Sequence, residues 1–353
     1  MTMTTTLFLA VCFVLACAHH VEPRRHPEPR REYNKLFVFG DTFADVGNLP
    51  KSGRSLASRQ WYYPYGMSDA AHENNPTGRL SNGLIQADYM GDRESNDGGD
   101  GDDSFFGVNF AVGGAAACSG PPGSGGAPSL GVQIDQLSRL VRDGTMVQKD
   151  DLKDSVALLA FSAGRDYRAV NDATSSDGLD ALVDRVTDAI ADGVRRLQDM
   201  GVEKVVVNAM PPLGCTPWQT FRSNYTRCAR AGNRASDAHN DKLRQKLGDD
   251  RKHVLFLDIN TVFTNLVDPD DDDDGSARQF KHKYTPCCDT MNKDPGSYCG
   301  QLDPNGDPLY TLCSNPDQYF YWDFMHPTQA AWKAVMKLLQ GPIEEFLGIS
   351  SWQ

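Results

Sequence analysis

The sequence predicts an α/β domain built on a parallel sheet with helices packed against both faces. Three observations carry this reading. Five short segments are apolar throughout rather than alternating, as strands buried on both faces are. Stretches with helical periodicity lie between them, and strands joined through helices run parallel. The chain has 353 residues, 40% hydrophobic and 23% charged, which is enough for one large domain of this kind.

Taken in order, the chain opens on "LFLAVCFVLACA", Leu7 to Ala18, a run of twelve residues that is too short to cross a bilayer as a helix. Ala16-Cys17-Ala18 has the small residues of a cleavage site, so residues 1–18 read as a secretory signal peptide cut near Ala18. The absence of Lys and Arg from "MTMTTT" leaves an uncleaved interfacial or membrane anchor as the alternative. Residues 19–35 are rich in Pro, Arg and Glu and read as a linker, and 36–353 as a single domain without repeats. The strands are "LFVFG" from Leu36, "GVNFAV" from Gly107, "SVALLAFSAG" from Ser155, "KVVVNAM" from Lys204 and "HVLFLDI" from His253. Between the third and fourth, Leu182, Val183, Val186, Ile190 and Val194 mark one face of an amphipathic helix, which Gly201 stops. "NRASDAHNDKLRQKLGD" supplies a second helix, and "PTQAAWKAVMKLLQG" a last one with Pro327 at its start.

The net charge of −12 gathers in two acidic stretches, Gly91 to Asp103 and Asp268 to Gly275. Such runs argue against nucleic acid or an anionic membrane as partner. The second resembles a calcium loop, but Lys281 stands where the bidentate Glu is needed, so it reads as a solvated loop. Seven cysteines follow the signal segment. Cys215 and Cys228 bracket one short loop, and Cys287, Cys288, Cys299 and Cys313 fall in one segment. An oxidising route predicts a Cys215–Cys228 disulfide and two more among the other four, with Cys118 left over. No Cys-x-x-Cys appears, so no metal is expected. Asn224-Tyr225-Thr226 is a glycosylation sequon.

Ligands of parallel sheets bind at the carboxyl ends of the strands. Those ends carry Asp41-Thr42, Gly113-Gly114, Gly164-Arg165-Asp166 and Pro211 to Cys215, and Asp323 stands three residues before His326 near the last helix. Hydroxyl, imidazole and carboxylate are the parts of nucleophilic acyl transfer, with Thr42, His326 and Asp323 in those roles. Gly114 offers a backbone N–H to an oxyanion. A lone Asp-x-x-His is more often a surface loop, and no Gly-x-Ser-x-Gly elbow occurs.

Four blocks in order nevertheless resemble the plant GDSL esterase/lipase family of the SGNH hydrolases: "FVFGDTFADVGN", "VNFAVGGA", "SAGRDY" and "WDFMHPTQAA". The resemblance implies a flavodoxin-like three-layer α/β/α sandwich, a secreted product and no cofactor. It places the nucleophile at Thr42, the acid and base at Asp323 and His326, and the oxyanion glycine at Gly114, with Gly113 the fallback. Two signature side chains differ, since Thr42 replaces the family serine and Arg165 the asparagine that donates to the oxyanion. The predicted function is acyl transfer on lipophilic or plant-surface esters, hydrolysis by default. The alternatives are transfer to a lipophilic alcohol, a weak lipid- or glycan-binding relative, or a structural wall protein. No membrane span is expected, and the oligomeric state is open.

Several residues have simpler roles in this reading. His239, His253 and His282 are assigned to packing or surface contacts, Asp45 and Asn48 to holding the turn after Thr42, and Asp166 to anchoring a loop. Trp61, Tyr62, Tyr63 and Tyr65 either line an acyl channel or pack as a loop over the site.

Overall fold

The computed structural model describes Tyr33 and residues 35–91, 107–118, 126–144, 146–171, 173–268, 276–294 and 296–349. The signal segment, nearly all of the linker and most of both acidic stretches lie outside the described residues. Tyr33, within the stretch assigned to the linker, is buried in the core.

Five parallel strands form the central sheet in the order β2-β1-β3-β4-β5. They are β1 (Lys35–Gly40), β2 (Val108–Asn109), β3 (Ser155–Ala160), β4 (Lys204–Asn208) and β5 (Val254–Leu257). Each coincides with one of the apolar runs, though β2 is only a short bridge beside β1. Alternate residues of one strand enter different cores, because successive side chains point to opposite faces. Leu36, Val38, Val156, Leu158 and Val206 face a core built with helices α1 (Gln86–Gly91), α6 (Ile259–Val267) and α7 (Gln329–Leu347). Phe37, Phe39, Ala157, Leu159, Val205 and Val207 face the other, built with α2 (Leu130–Asp143), α3 (Ser176–Met200) and α5 (Arg230–Leu247). A short α4 (Pro217–Thr220) follows β4. This is the three-layer α/β/α arrangement, and each layer buries the face that the strand period assigns to it.

Helix α3 starts on Ser175, whose side chain accepts from Gly178 N, and ends on Gly201 in the left-handed region. Helix α7 begins one residue after Pro327 and its neighbour, because Thr328 caps it by accepting from Ala331 N. It also runs past Gly341 through Pro342 to Leu347, since Ile343 and Leu347 are buried against the core. The sequence patterning did not mark α1, α2, α4 or α6, nor the antiparallel pair β6 (Cys288–Thr290) and β7 (Tyr310–Leu312).

The disulfides are Cys215–Cys228, Cys287–Cys313 and Cys288–Cys299, and Cys118 is free. The second and third build a small core of their own with Tyr65, Leu80, Tyr310 and Trp322. Cys287 N and Cys288 N donate to the carbonyls of Tyr321 and Trp322. The cystine-rich segment thereby backs the strand of chain that ends at Asp323.

Candidate active site

The site begins where β1 meets β3. Gly40 pairs with Ala160, and a Cβ at Gly40 would lie 2.4 Å from the Ala160 carbonyl oxygen. Only glycine admits this approach. Asp41 follows, buried, with Oδ1 accepting from Phe43 N at 3.1 Å. Its Oδ2 accepts from Ser162 N at 2.9 Å and from Ser162 Oγ at 2.7 Å. The turn carrying Thr42 is therefore tied to the end of β3. Burial raises the Asp41 pKa to about 7, against the lowering effect of those hydrogen bonds. The folded protein then keeps a proton that the unfolded chain has released. This contribution to stability is complete below about pH 4 and is lost as pH rises through about 7. Asp41→Asn is expected to remove that part of the slope, so melts across pH 4 to 8 should converge on a flatter curve than wild type.

Thr42 is half-buried, and neither its hydroxyl nor its backbone N–H bonds any other described residue. Asp45 holds the following turn by accepting from Gly47 N, Asn48 N and Leu49 N, and it reaches across to Gly113 N at 2.6 Å. Asn48 Nδ2 donates to the carbonyls of Asn109 and Ala111. The two residues perform the turn-holding role read from the sequence. Gly113 N–H is thus already committed, whereas Gly114 N–H has no partner among the described residues. Gly114 has φ +77°, in the region that favours glycine.

Arg165 is exposed, and its Nη1 donates to the Gly114 carbonyl at 2.5 Å. Asp166 accepts from Ala117 N and Cys118 N, anchoring the loop after β2. Ala163 stands two residues before Arg165 with φ +53°. A left-handed conformation costs an alanine roughly 1–2 kcal/mol that a glycine does not incur.

Asp323 and His326 lie on the turn before α7, and both are buried. His326 Nδ1 and Asp323 Oδ1 are 2.7 Å apart. The same oxygen accepts from Met325 N and His326 N, each at 2.9 Å. Oδ2 accepts from Tyr65 OH at 2.8 Å and from Arg59 Nη2 at 3.5 Å, and Arg59 Nε donates to Tyr65 OH at 2.9 Å. Burial alone would raise the Asp323 pKa. The charge and hydrogen bond of His326, with Arg59 behind, outweigh it and hold the carboxyl well below the usual carboxylate range. An ionised carboxylate can only accept, so Nδ1 carries the ring proton, and in the neutral imidazole Nε2 is the nitrogen with the free lone pair. The Thr42 segment meets this pair through Phe43, whose ring stands edge-on to the imidazole with centroids 6.4 Å apart.

The profile of the family described as GDSL-like Lipase/Acylhydrolase matches residues 36–339. The chain belongs to this family. Among its GDSL relatives, the Arabidopsis thaliana protein named GDSL esterase/lipase At5g03610 is 31% identical over 339 residues, covering 91% of this chain and 88% of its own. A second from the same plant, GDSL esterase/lipase At3g09930, is 31% identical over 335 residues, covering 90% of each chain. The GDSL family assignment supports an esterase-type hydrolase.

Arg59 and Tyr65 escaped sequence reasoning as partners of the acid. Tyr65 is fully buried against Trp322 and bonded to Asp323, so of the four aromatics of "WYYPYG" it packs behind the site, while Tyr63 is exposed. The three histidines that the sequence assigned to packing or surface contacts have structural partners. His239 bonds Tyr167 OH and burial pushes its pKa down to about 3, His253 bonds Asp250, and His282 stacks on Tyr319. Asn224 is exposed at a turn.

Proposed function

We propose that this protein is a secreted acyl-transfer enzyme acting on lipophilic or plant-surface carboxylic esters, with hydrolysis as the default outcome. Thr42 Oγ1 attacks the ester carbonyl carbon while His326 Nε2 takes its proton. Asp323 orients the imidazole and stabilises the charge it acquires. Gly114 N–H receives the oxyanion, while Arg165 lies at the rim on the Gly114 carbonyl. His326 then gives its proton to the departing alcohol. Water, deprotonated by the same nitrogen, attacks the acyl-threonine and releases the acid. An alcohol in place of water yields a new ester by the same steps, and no cofactor enters.

The observation that carries this reading is the buried Asp323–His326 pair, with both oxygens of the carboxylate met by donors. Uncommitted Gly114 N–H favours Gly114 over Gly113 as the oxyanion donor. Three disulfides and the amino-terminal apolar run support secretion after cleavage near Ala18, which leaves a linker ahead of a domain that takes in Tyr33 and β1. Among the described residues no helix is long and apolar enough to cross a membrane.

One observation favours a second reading, a weak relative that binds a lipid or glycan. Arg165 lies exposed across the Gly114 carbonyl, and Thr42 carries a methyl beside its hydroxyl. Treatment of the purified mature protein with a fluorophosphonate separates the two. The enzyme reading expects labelling at Thr42 that is lost in Thr42→Ala, together with turnover of p-nitrophenyl butyrate. Turnover that survives both Thr42→Ala and His326→Ala would remove these residues from the mechanism.

A further inference from the structure

Beside the Asp323–His326 pair the surface opens into a cavity of about 200 Å³. Part of its wall comes from the segments that carry the site, and Arg168, Thr216, Gln219 and Ser297 add polar groups to it. Phe324 and Met325 lie between Asp323 and His326, and Gly164 directly precedes Arg165. The Phe324 ring meets the imidazole edge-on, with centroids 6.3 Å apart. Met325 packs so closely on Gly164 that a Cβ there would lie 2.5 Å from Met325 Cε. Leu213 and Trp218, from the chain after β4, also line the space.

A second space of about 30 Å³ lies beside the first, and Trp218, Phe324 and Ser297 line both. The Trp218 and Phe324 ring centroids are 5.9 Å apart, and Trp218 N donates to the Phe324 carbonyl at 2.8 Å. The two rings form a partition that is held by the backbone as well as by packing. The smaller space holds little more than a water molecule, while an apolar cavity of about 150 Å³ admits a benzene ring.

We infer that the larger cavity is the acyl subsite and that the Trp218–Phe324 partition tunes it for single-ring aromatic or short aliphatic acyl groups. This rests on the proposed acyl-transfer reading. A buried methylene is worth roughly fourfold in kcat/KM. The gain with chain length should therefore stop where the chain reaches the partition.

The test compares kcat/KM for p-nitrophenyl acetate, butyrate, benzoate, octanoate and palmitate in wild type, Trp218→Ala and Trp218→Phe. Wild type should prefer butyrate and benzoate to octanoate and palmitate. Trp218→Ala should raise the octanoate-to-butyrate ratio by at least tenfold, and Trp218→Phe should stay near wild type. An unchanged ratio in Trp218→Ala, or a wild type that prefers palmitate, overturns the assignment. Benzoate itself supplies a readout without turnover, through the methyl resonance of Met325 in labelled wild-type protein. A shifted, saturable Met325 signal with no ester turnover would retain the subsite and remove the enzyme. Ester turnover with no Met325 response to benzoate would do the reverse.

Discussion

Asp323→Asn is expected to lower kcat for an aryl ester by about ten-thousand-fold, the scale of losing the contribution of a triad acid, with KM within a fewfold of wild type; this is the largest effect expected of any single conservative change. The cause lies in charge rather than tautomer. Oδ1 of Asp323 accepts from Met325 N, His326 N and His326 Nδ1, so the amide oxygen must take that place. The amide nitrogen is then turned toward Tyr65 OH and Arg59. His326 keeps its Nδ1 proton and its orientation, but the imidazolium formed in the transition state loses the opposing charge. Buried Arg59 also loses its anion, and breaking such a pair by removing one partner costs about 3–5 kcal/mol. Steady-state kinetics at a temperature where circular dichroism shows the variant folded measure the first effect, and thermal denaturation the second. A variant within tenfold of wild-type kcat would show that the pair does not carry the chemistry.

Thr42→Ser combined with Arg165→Asn is expected to raise kcat/KM on p-nitrophenyl acetate by about a hundredfold, the scale of one restored oxyanion donor. The threonine methyl restricts the side-chain rotamer and crowds the attacking oxygen. Arg165 reaches the Gly114 carbonyl and is exposed, so its guanidinium is engaged with the backbone whose N–H is proposed to receive the oxyanion. Asparagine is shorter and neutral, and it cannot span to that carbonyl in the same way. The two single gains should not add, because nucleophile and oxyanion donors act on one transition state. Measuring wild type, both singles and the double closes the cycle. A correctly folded double variant no faster than wild type would show that these positions do not limit the reaction.

Much of this protein was legible before folding. The five strands were readable because parallel strands bury both faces, which leaves a run of apolar residues without gaps. The disulfide partition was readable because Cys215 and Cys228 flank one loop and the four later cysteines share one segment, although the 287–313 and 288–299 pairing was not. Helix α2 stayed hidden in the sequence reading even though its Gln133 holds both backbone groups of Gly40. Local pattern records which face of a segment is apolar, and it carries no record of which distant backbone a polar side chain will reach.

The sequence by itself determined the parallel sheet, the order of its blocks and the residue types at each strand end, because these follow from local periodicity and from short motifs. Only the tertiary structure decided that Arg59 and Tyr65 back Asp323 across 264 and 258 residues of chain. It alone decided that Asp45 consumes the Gly113 N–H and leaves that of Gly114 uncommitted, and that Arg165 turns to the Gly114 carbonyl. The physical reason is that hydrogen-bond satisfaction in a buried site is an accounting between groups far apart in sequence, and it exists only once the sheet has brought its carboxyl ends together.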